Sequence, residues 1–295
     1  MKTGFLGLGA MGLPMARTLH KAGLLAAAYN RTTDKAQALA AETGCAAAAS
    51  VADLAGLCEA VVMCVSADAD VLAMVDLLAR ADRPDLLVID CSTVAGDTAR
   101  EAARRMRAAG GRFLDCPVSG GTEGARNGTL SIMVGGEPED VAAATPILEA
   151  MGANIAHMGP VGAGQATKAT NQIMVAGINQ AVTEALAFGQ AQGLPMDRLI
   201  GALEKGAAGN WFLTHRGPTM VRGEFPLGFK VALHAKDLRI CQAMADALGV
   251  RLPVVEMTLL HYRRLLDAGS ADEDISALFR LKSDMFTGQD ETQKD

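Results

Sequence analysis

The segment Phe5-Leu6-Gly7-Leu8-Gly9-Ala10-Met11-Gly12-Leu13-Pro14-Met15-Ala16 decides the fold. Before it, the apolar run Lys2 to Leu6 reads as a strand, and after it Ala10 to Lys21 reads as a helix. Each glycine of the turn has its own task. Gly7 permits the tight turn out of the strand, Gly9 lets the backbone approach a pyrophosphate, and Gly12 lets the helix pack closely on the sheet. Leu8, Ala10 and Met11 complete the turn. The helix N-terminus then presents unpaired N–H groups and a positive dipole end to phosphate. A dinucleotide site is the better reading of this context; its competitor is an ordinary strand–helix turn.

The second strand, Leu24 to Tyr29, ends in Asn30-Arg31-Thr32. An NAD site places an Asp or Glu about 20 residues past the glycines, where it accepts from the ribose 2′-OH. No acid occurs here until Asp34, which opens the following helix. Arg31 suits a 2′-phosphate, and Asn30 and Thr32 suit donation to it. NADPH is therefore favoured over NADH. The competing reading is a solvated surface arginine in a chain that uses both.

Working outward, short apolar runs alternate with helical patterns. Further strands fit Ala60 to Val65, Leu86 to Ile89, Arg112 to Cys116, Thr129 to Val134 and Asn154 to His157. Helices fit Ala69 to Leu78, Gly96 to Ala108 and Glu139 to Met151 between them. Alternating βα units predict an α/β fold, a doubly wound parallel sheet with helices on both faces. Near Gly159-Pro160-Val161-Gly162 the pattern changes. No convincing strand follows, and Gln165 to Gln192 fits one helix about 40 Å long. Later helices fit Met196 to Lys205, Val231 to Leu248, Val254 to Ala268 and Ile275 to Lys282, and the tail from Thr287 to Asp295 is expected to fray. The expected domains are residues 1–162, binding the nucleotide, and 163–295, all-helical.

Composition narrows the class. The 295 residues carry a net charge of −6, which argues against nucleic acid as a partner. No apolar stretch is long enough for a membrane span, and the start lacks the regions of a signal peptide. The six cysteines show no CxxC spacing, and none of the five histidines pairs with a second ligand, so no metal is expected. Reduced cysteines in such a chain point to the cytoplasm.

In doubly wound sheets ligands sit beyond the carboxyl ends of the strands. Val65-Ser66-Ala67, Asp90-Cys91-Ser92-Thr93 and Asp115-Cys116-Pro117-Val118-Ser119-Gly120-Gly121 occupy such places. In the last, backbone N–H groups around Ser119, Gly120 and Gly121 can converge on an anion such as a carboxylate, although a plain tight turn fits the glycines equally well. Reduction of a carbonyl needs a proton donor within hydrogen-bond reach. Lys168, on the first turns of the long helix, is the candidate; Asn171 and Gln172 share its face at three and four residues on. A single helix lysine is ordinarily a solvated charge, but the flanking glycines and adjacent amides on an uncharged helix favour the site.

Four segments carry a resemblance: GLGAMG at 7–12, DCPVSGGTEGARNGTL at 115–130, GAGQATKATNQ at 162–172 and KDL at 236–238. In this order they resemble the β-hydroxyacid dehydrogenase family over nearly the whole chain. That family includes 3-hydroxyisobutyrate dehydrogenase, tartronate semialdehyde reductase and glyoxylate/succinic semialdehyde reductase. The resemblance implies a Rossmann domain, a long interdomain helix and an all-helical domain, assembled as homodimers or homotetramers. It implies that Lys168 is the catalytic acid/base and that Ser119, Gly120 and Gly121 hold a substrate carboxylate with Asn171 or Gln172 assisting. It also implies that Val65, Ser66, Thr93 and Lys236 meet the cofactor. The expected activity is NAD(P)-dependent hydride transfer between nicotinamide and a small 3-hydroxy or 2-hydroxy acid, as an oxidoreductase of CH–OH groups. Tartronate, methylmalonate and succinic semialdehydes and glyoxylate are the candidate substrates. Asn30-Arg31-Thr32 resembles the NADPH-using reductases, and Gln172 stands where the family has a second asparagine. An imine-reducing relative and a non-catalytic NADP-binding scaffold are the alternatives; Lys168 argues against both. Trp211 and Phe229 suit either a pocket wall or a core.

Overall fold

The computed structural model describes residues 1–287. The chain forms two compact units, Met1–Lys168 and the remainder from Ala169. The first is β1 (Thr3–Leu6), α1 (Gly12–Lys21), β2 (Leu25–Tyr29), α2 (Thr33–Thr43), β3 (Ala46–Ala47), α3 (Val51–Leu57), β4 (Ala60–Met63) and α4 (Asp68–Ala79). It continues through β5 (Leu87–Asp90), α5 (Gly96–Ala108), β6 (Arg112–Asp115), β7 (Val118–Ser119), α6 (Gly121–Asn127), β8 (Leu130–Gly135), α7 (Pro138–Met151) and β9 (Gly152–Gly159).

The strands make one sheet in the order β3-β2-β1-β4-β5-β6-β8-β7, with β9 also on β8. The order reverses direction at β1, which pairs β2 on one side and β4 on the other, both in parallel. A doubly wound sheet opens its ligand crevice at such a reversal, where the glycine turn emerges. Because helices cover both faces, the central strands bury alternate residues on opposite sides. Phe5, Val62, Leu87, Ile89 and Leu114 join α1 and α7 in one core. Leu6, Val61, Met63, Val88 and Phe113 join α3, α4 and α5 in the other.

The all-parallel expectation fails at two strands, β8 and β9. β8 runs antiparallel to both β6 and β7, and parallel to β9. Residues 120–129 link β7 to β8 and hold only the short α6. A parallel crossover needs about a dozen residues or more, so the chain turns straight back. Also unread in the sequence were β3, α3, α6 and β7, all of seven residues or fewer.

The second unit is helical: α8 (Ala163–Ala191) enters it, followed by α9 (Met196–Leu203), α10 (Trp211–Met220), α11 (Val231–Asp246), α12 (Pro253–Asp267) and α13 (Leu278–Thr287). Its core joins Leu186, Phe212, Leu213, Leu238, Val255, Tyr262 and Leu278. α10 was not anticipated; its N-cap Asn210 accepts from Leu213 N–H at 2.9 Å. Polar groups lock the interior. His234 Nδ1 and Tyr262 Oη share a hydrogen bond of 2.9 Å, and Asn179 Nδ2 donates to Tyr262 Oη and to the Ile275 carbonyl at 3.0 Å each. Burial pushes the Tyr262 hydroxyl up, so it stays neutral as donor and acceptor. Thr287 ends α13; the rest of the expected frayed tail, residues 288–295, lies outside the described residues. Among the described residues no helix is long and apolar enough to cross a membrane.

Candidate active site

The glycine turn is shaped by two different demands. Gly7 has φ +96°, and a Cβ there would collide with the Cys64 carbonyl oxygen. A Cβ on Gly12 would collide with the Gly7 carbonyl oxygen and stand 3.0 Å from the Phe5 ring. A Cβ on Gly9 would meet nothing within 4 Å. The protein itself thus requires Gly7 and Gly12, whereas a Cβ on Gly9 would stand in open space. α1 has neither a side-chain cap nor an acid in its first turn. Uncapped N–H groups facing open space fit a dinucleotide pyrophosphate.

Asn30 laces this turn to the end of β2. Its Oδ1 accepts from Leu8 N–H at 2.8 Å, and its Nδ2 donates to the Thr32 carbonyl at 3.0 Å. The side chain is therefore engaged with the protein at both ends, a task the sequence did not suggest. Arg31 projects outward with 93% of its side chain exposed, 4.0 Å from Asp70 Oδ1. So exposed a pair is worth little, and the guanidinium is available to a phosphate.

At the neighbouring strand ends the loops are tied to each other. Val65 N–H donates to Ser92 Oγ at 2.9 Å, and Ser92 N–H to Asp90 Oδ1 at 3.0 Å. Ser66 is exposed and Thr93 half-buried beside them. Asp90 and Asp115 are in-register neighbours on β5 and β6, both fully buried. Burial raises Asp90 to about 7 and Asp115 to about 6; the N–H groups that donate to each pull the other way. Asp90 Oδ2 has no hydrogen-bond partner among the described residues. Neither acid was selected from the sequence. The signal was a repeated pattern, an apolar run closing in Asp-Cys, at Leu87 to Cys91 and again at Phe113 to Cys116.

Beyond β6, Gly120 and Gly121 take φ +130° and +61°, conformations that L side chains rarely adopt. The Gly-Gly pair is thus required by the backbone as it leaves Ser119 for α6. Lys168 is 7% exposed and lies about one helical turn past Gln165. In the second unit, Asn171 Nδ2 donates to Gln172 Oε1 at 2.8 Å, and Gln172 Nε2 donates to Asp237 Oδ2 at 2.8 Å. Asp237 Oδ1 in turn meets Lys236 Nζ at 3.1 Å. Three residues anticipated for the site are therefore linked through Asp237, which was not. Gln172 is 2% exposed and spends its amide on this chain. Trp211 is exposed and stacks on His215 at 4.3 Å, while Phe229 packs against the helical core. No group of three His, Cys, Asp or Glu side chains among the described residues is placed to hold a metal.

Comparison with known proteins agrees with this geometry. Residues 2–159 match the family model for the NAD binding domain of 6-phosphogluconate dehydrogenase. Residues 162–282 match that for the NAD-binding region of NADP-dependent 3-hydroxyisobutyrate dehydrogenase. The chain is similar to the NAD-dependent L-serine dehydrogenase of Pseudomonas aeruginosa, 37% identical over 94% of this chain and 96% of that one. It is similar to the 2-hydroxy-3-oxopropionate reductase of Escherichia coli, 36% identical over 94% and 96%. Among solved structures, the Mycobacterium tuberculosis 3-hydroxyisobutyrate dehydrogenase with L-serine superposes with a TM-score of 0.87 at 32% identity, covering 95% of this chain and 99% of that one.

The raised acids make a prediction about pH. Both folded values exceed the unfolded value of about 3.9, so folding favours the protonated forms. The stability they carry is complete below about pH 4 and is lost as pH rises through 6 and 7. Asp90→Asn should remove much of this loss, a few kcal/mol, so that the urea midpoint changes less between pH 5 and pH 8 than in the unaltered protein. Equal changes in both proteins would refute the assignment.

Proposed function

The chain belongs to the β-hydroxyacid dehydrogenase family of NAD(P)-dependent oxidoreductases, and from that premise we propose that it interconverts a small semialdehyde acid and its hydroxyacid with Lys168 as proton donor and acceptor. The supporting observation is the placement of Lys168 on a helix start that is bonded to the strand ends (Gly162 and Gln165 N–H on Asp115). A general acid must be held in place before its chemistry counts.

In this reading the uncapped α1 and the space over Gly9 receive the pyrophosphate, and Arg31 receives the 2′-phosphate, which favours NADPH. Bound there, the reduced nicotinamide supplies the hydride. Ser119, Gly120 and Gly121 hold the substrate carboxylate, which turns the carbonyl toward Lys168. The ammonium gives its proton to the carbonyl oxygen as hydride arrives at carbon, and the neutral amine takes a proton back in oxidation. Asn171 orients lysine or substrate, itself held through Gln172 by Asp237. L-serine, 3-hydroxyisobutyrate and the glycerate formed from 2-hydroxy-3-oxopropionate share a carboxylate and a hydroxyl on the β carbon. We infer that this is the substrate class, ahead of glyoxylate. The free cysteines fit a cytoplasmic setting. The exposed row Val254, Met257 and Leu260 on α12 fits a contact between copies of the chain.

Four outcomes are expected. Absorbance of the reduced nicotinamide should fall with NADPH and tartronate or methylmalonate semialdehyde, faster than with succinic semialdehyde, or rise with NADP+ and L-serine. Lys168→Ala should lower turnover by about two to four orders of magnitude with cofactor binding intact; near-normal turnover would sink the role. Arg31→Ala should weaken NADPH far more than NADH, and an unchanged preference would overturn the cofactor choice. Light scattering should give a dimer or tetramer that Met257→Glu with Leu260→Glu reduces in mass; a monomer at the outset contradicts the contact.

A further inference from the structure

A helix ordinarily satisfies its first N–H groups with a cap residue just before it. α8 takes its cap from 47 residues upstream: Asp115 Oδ1 accepts from Gly162 N–H and Oδ2 from Gln165 N–H, each at 2.8 Å. The fit is close on every side. A Cβ on Gly164 would come within 2.5 Å of the Asp115 and Met133 carbonyl oxygens, and one on Gly135 would collide with Asp115 Oδ1. A second arm runs from the helix itself, where Gln165 Nε2 donates to the Ser92 carbonyl at 2.8 Å and Oε1 accepts from Val94 N–H at 3.1 Å. Asp115 is fixed in turn by the β5–β6 register.

We propose that Asp115 is a positioning residue of the reaction: by fixing where α8 begins, its carboxylate sets the place of Lys168 relative to Ser119–Gly121. The same acid closes β6, so the helix start that carries the proton donor is held against the strand from which the segment to Ser119 extends. An amide cannot substitute. It offers one acceptor and one donor where two N–H groups need acceptors, so one of them faces another N–H. The positive end of the 29-residue helix favours the anion and partly offsets the burial that raises Asp115 to about 6. The inference rests on Lys168 being the acid of the reaction, and its test separates the two.

The test is a double-variant cycle with the fastest-reduced acid of the panel above. Asp115→Asn should lower kcat by about 10²-fold, the cost of roughly an ångström of misplacement. KM for the acid and the NADPH dissociation constant should stay within a few-fold. In the Lys168→Ala background the same change should cost nothing further, because the lysine it positions is gone. An equal loss in both backgrounds, or full turnover in Asp115→Asn, overturns the proposal while leaving Lys168 in its role. Normal turnover in Lys168→Ala alone, or silence of the whole panel, refutes the underlying reading and the proposal with it. Where Asp115→Asn does not fold, Gln165→Met removes the second arm of the clamp and carries the same cycle with the same outcomes.

Discussion

The N-terminal unit has no room for chemistry inside its sheet. Its central strands are buried on both faces, so each side chain from Phe5 to Leu6 or from Leu87 to Ile89 is committed to one core or the other. In the proposed reading, every polar group offered to a ligand therefore stands where a strand ends. The glycine turn follows β1, Asn30 and Arg31 follow β2, Val65 and Ser66 follow β4, and Ser119 ends β7 with Gly120 and Gly121 after it. The parallel order makes these ends coincide on one edge of the sheet. The antiparallel β8 then brings the chain back beside β6, which is where the start of α8 is bonded.

This arrangement explains what the sequence disclosed and what it withheld. The glycines were legible because their spacing is local and each is demanded by geometry within a few residues. Long strands and helices were legible through their period. The direction of β8 was not, because it depends on a short connection rather than on the strand itself. Asp90, Asp115 and Asp237 stayed hidden for a related reason. The partners of Asp115 and Asp237 lie far along the chain, at Gly162 and Gln172, and any of the three acids reads as a solvated charge until its burial is known. The double role of Asn30 was masked by the opposite effect: a plausible ligand role drew the reading away from a structural one.

The two units satisfy their buried polar groups in different ways. In the first, carboxylates accept from backbone N–H groups of loops that must stay open to a ligand. In the second, neutral groups, the buried carboxylate of Asp274 and ion pairs such as Lys282 with Glu184 at 2.6 Å hold helices together. His234, Tyr262 and Asn179 bridge α8, α11 and α12. Asp274 accepts from Gly228 and Phe229 N–H at 2.8 and 2.9 Å and sits 3.4 Å from Arg216 Nε. That acid fixes the approach to α11, the helix that presents Lys236 and Asp237. Rigidity behind a polar chain is what keeps such a chain in one geometry.

The unequal surroundings of the three glycines separate two fates for altered copies of the protein. Changes at Gly7 or Gly12 strike backbone atoms and strain the fold, and a weakened fold is removed by cellular proteases in proportion to the time it spends open. A Cβ on Gly9 would meet nothing in the chain within 4 Å, so a small side chain there leaves folding, and with it that surveillance, undisturbed. On the proposed reading, such a copy accumulates at normal abundance while its nucleotide binding is lost. Protein level and activity are thereby uncoupled at a single position, three residues from one where they fall together.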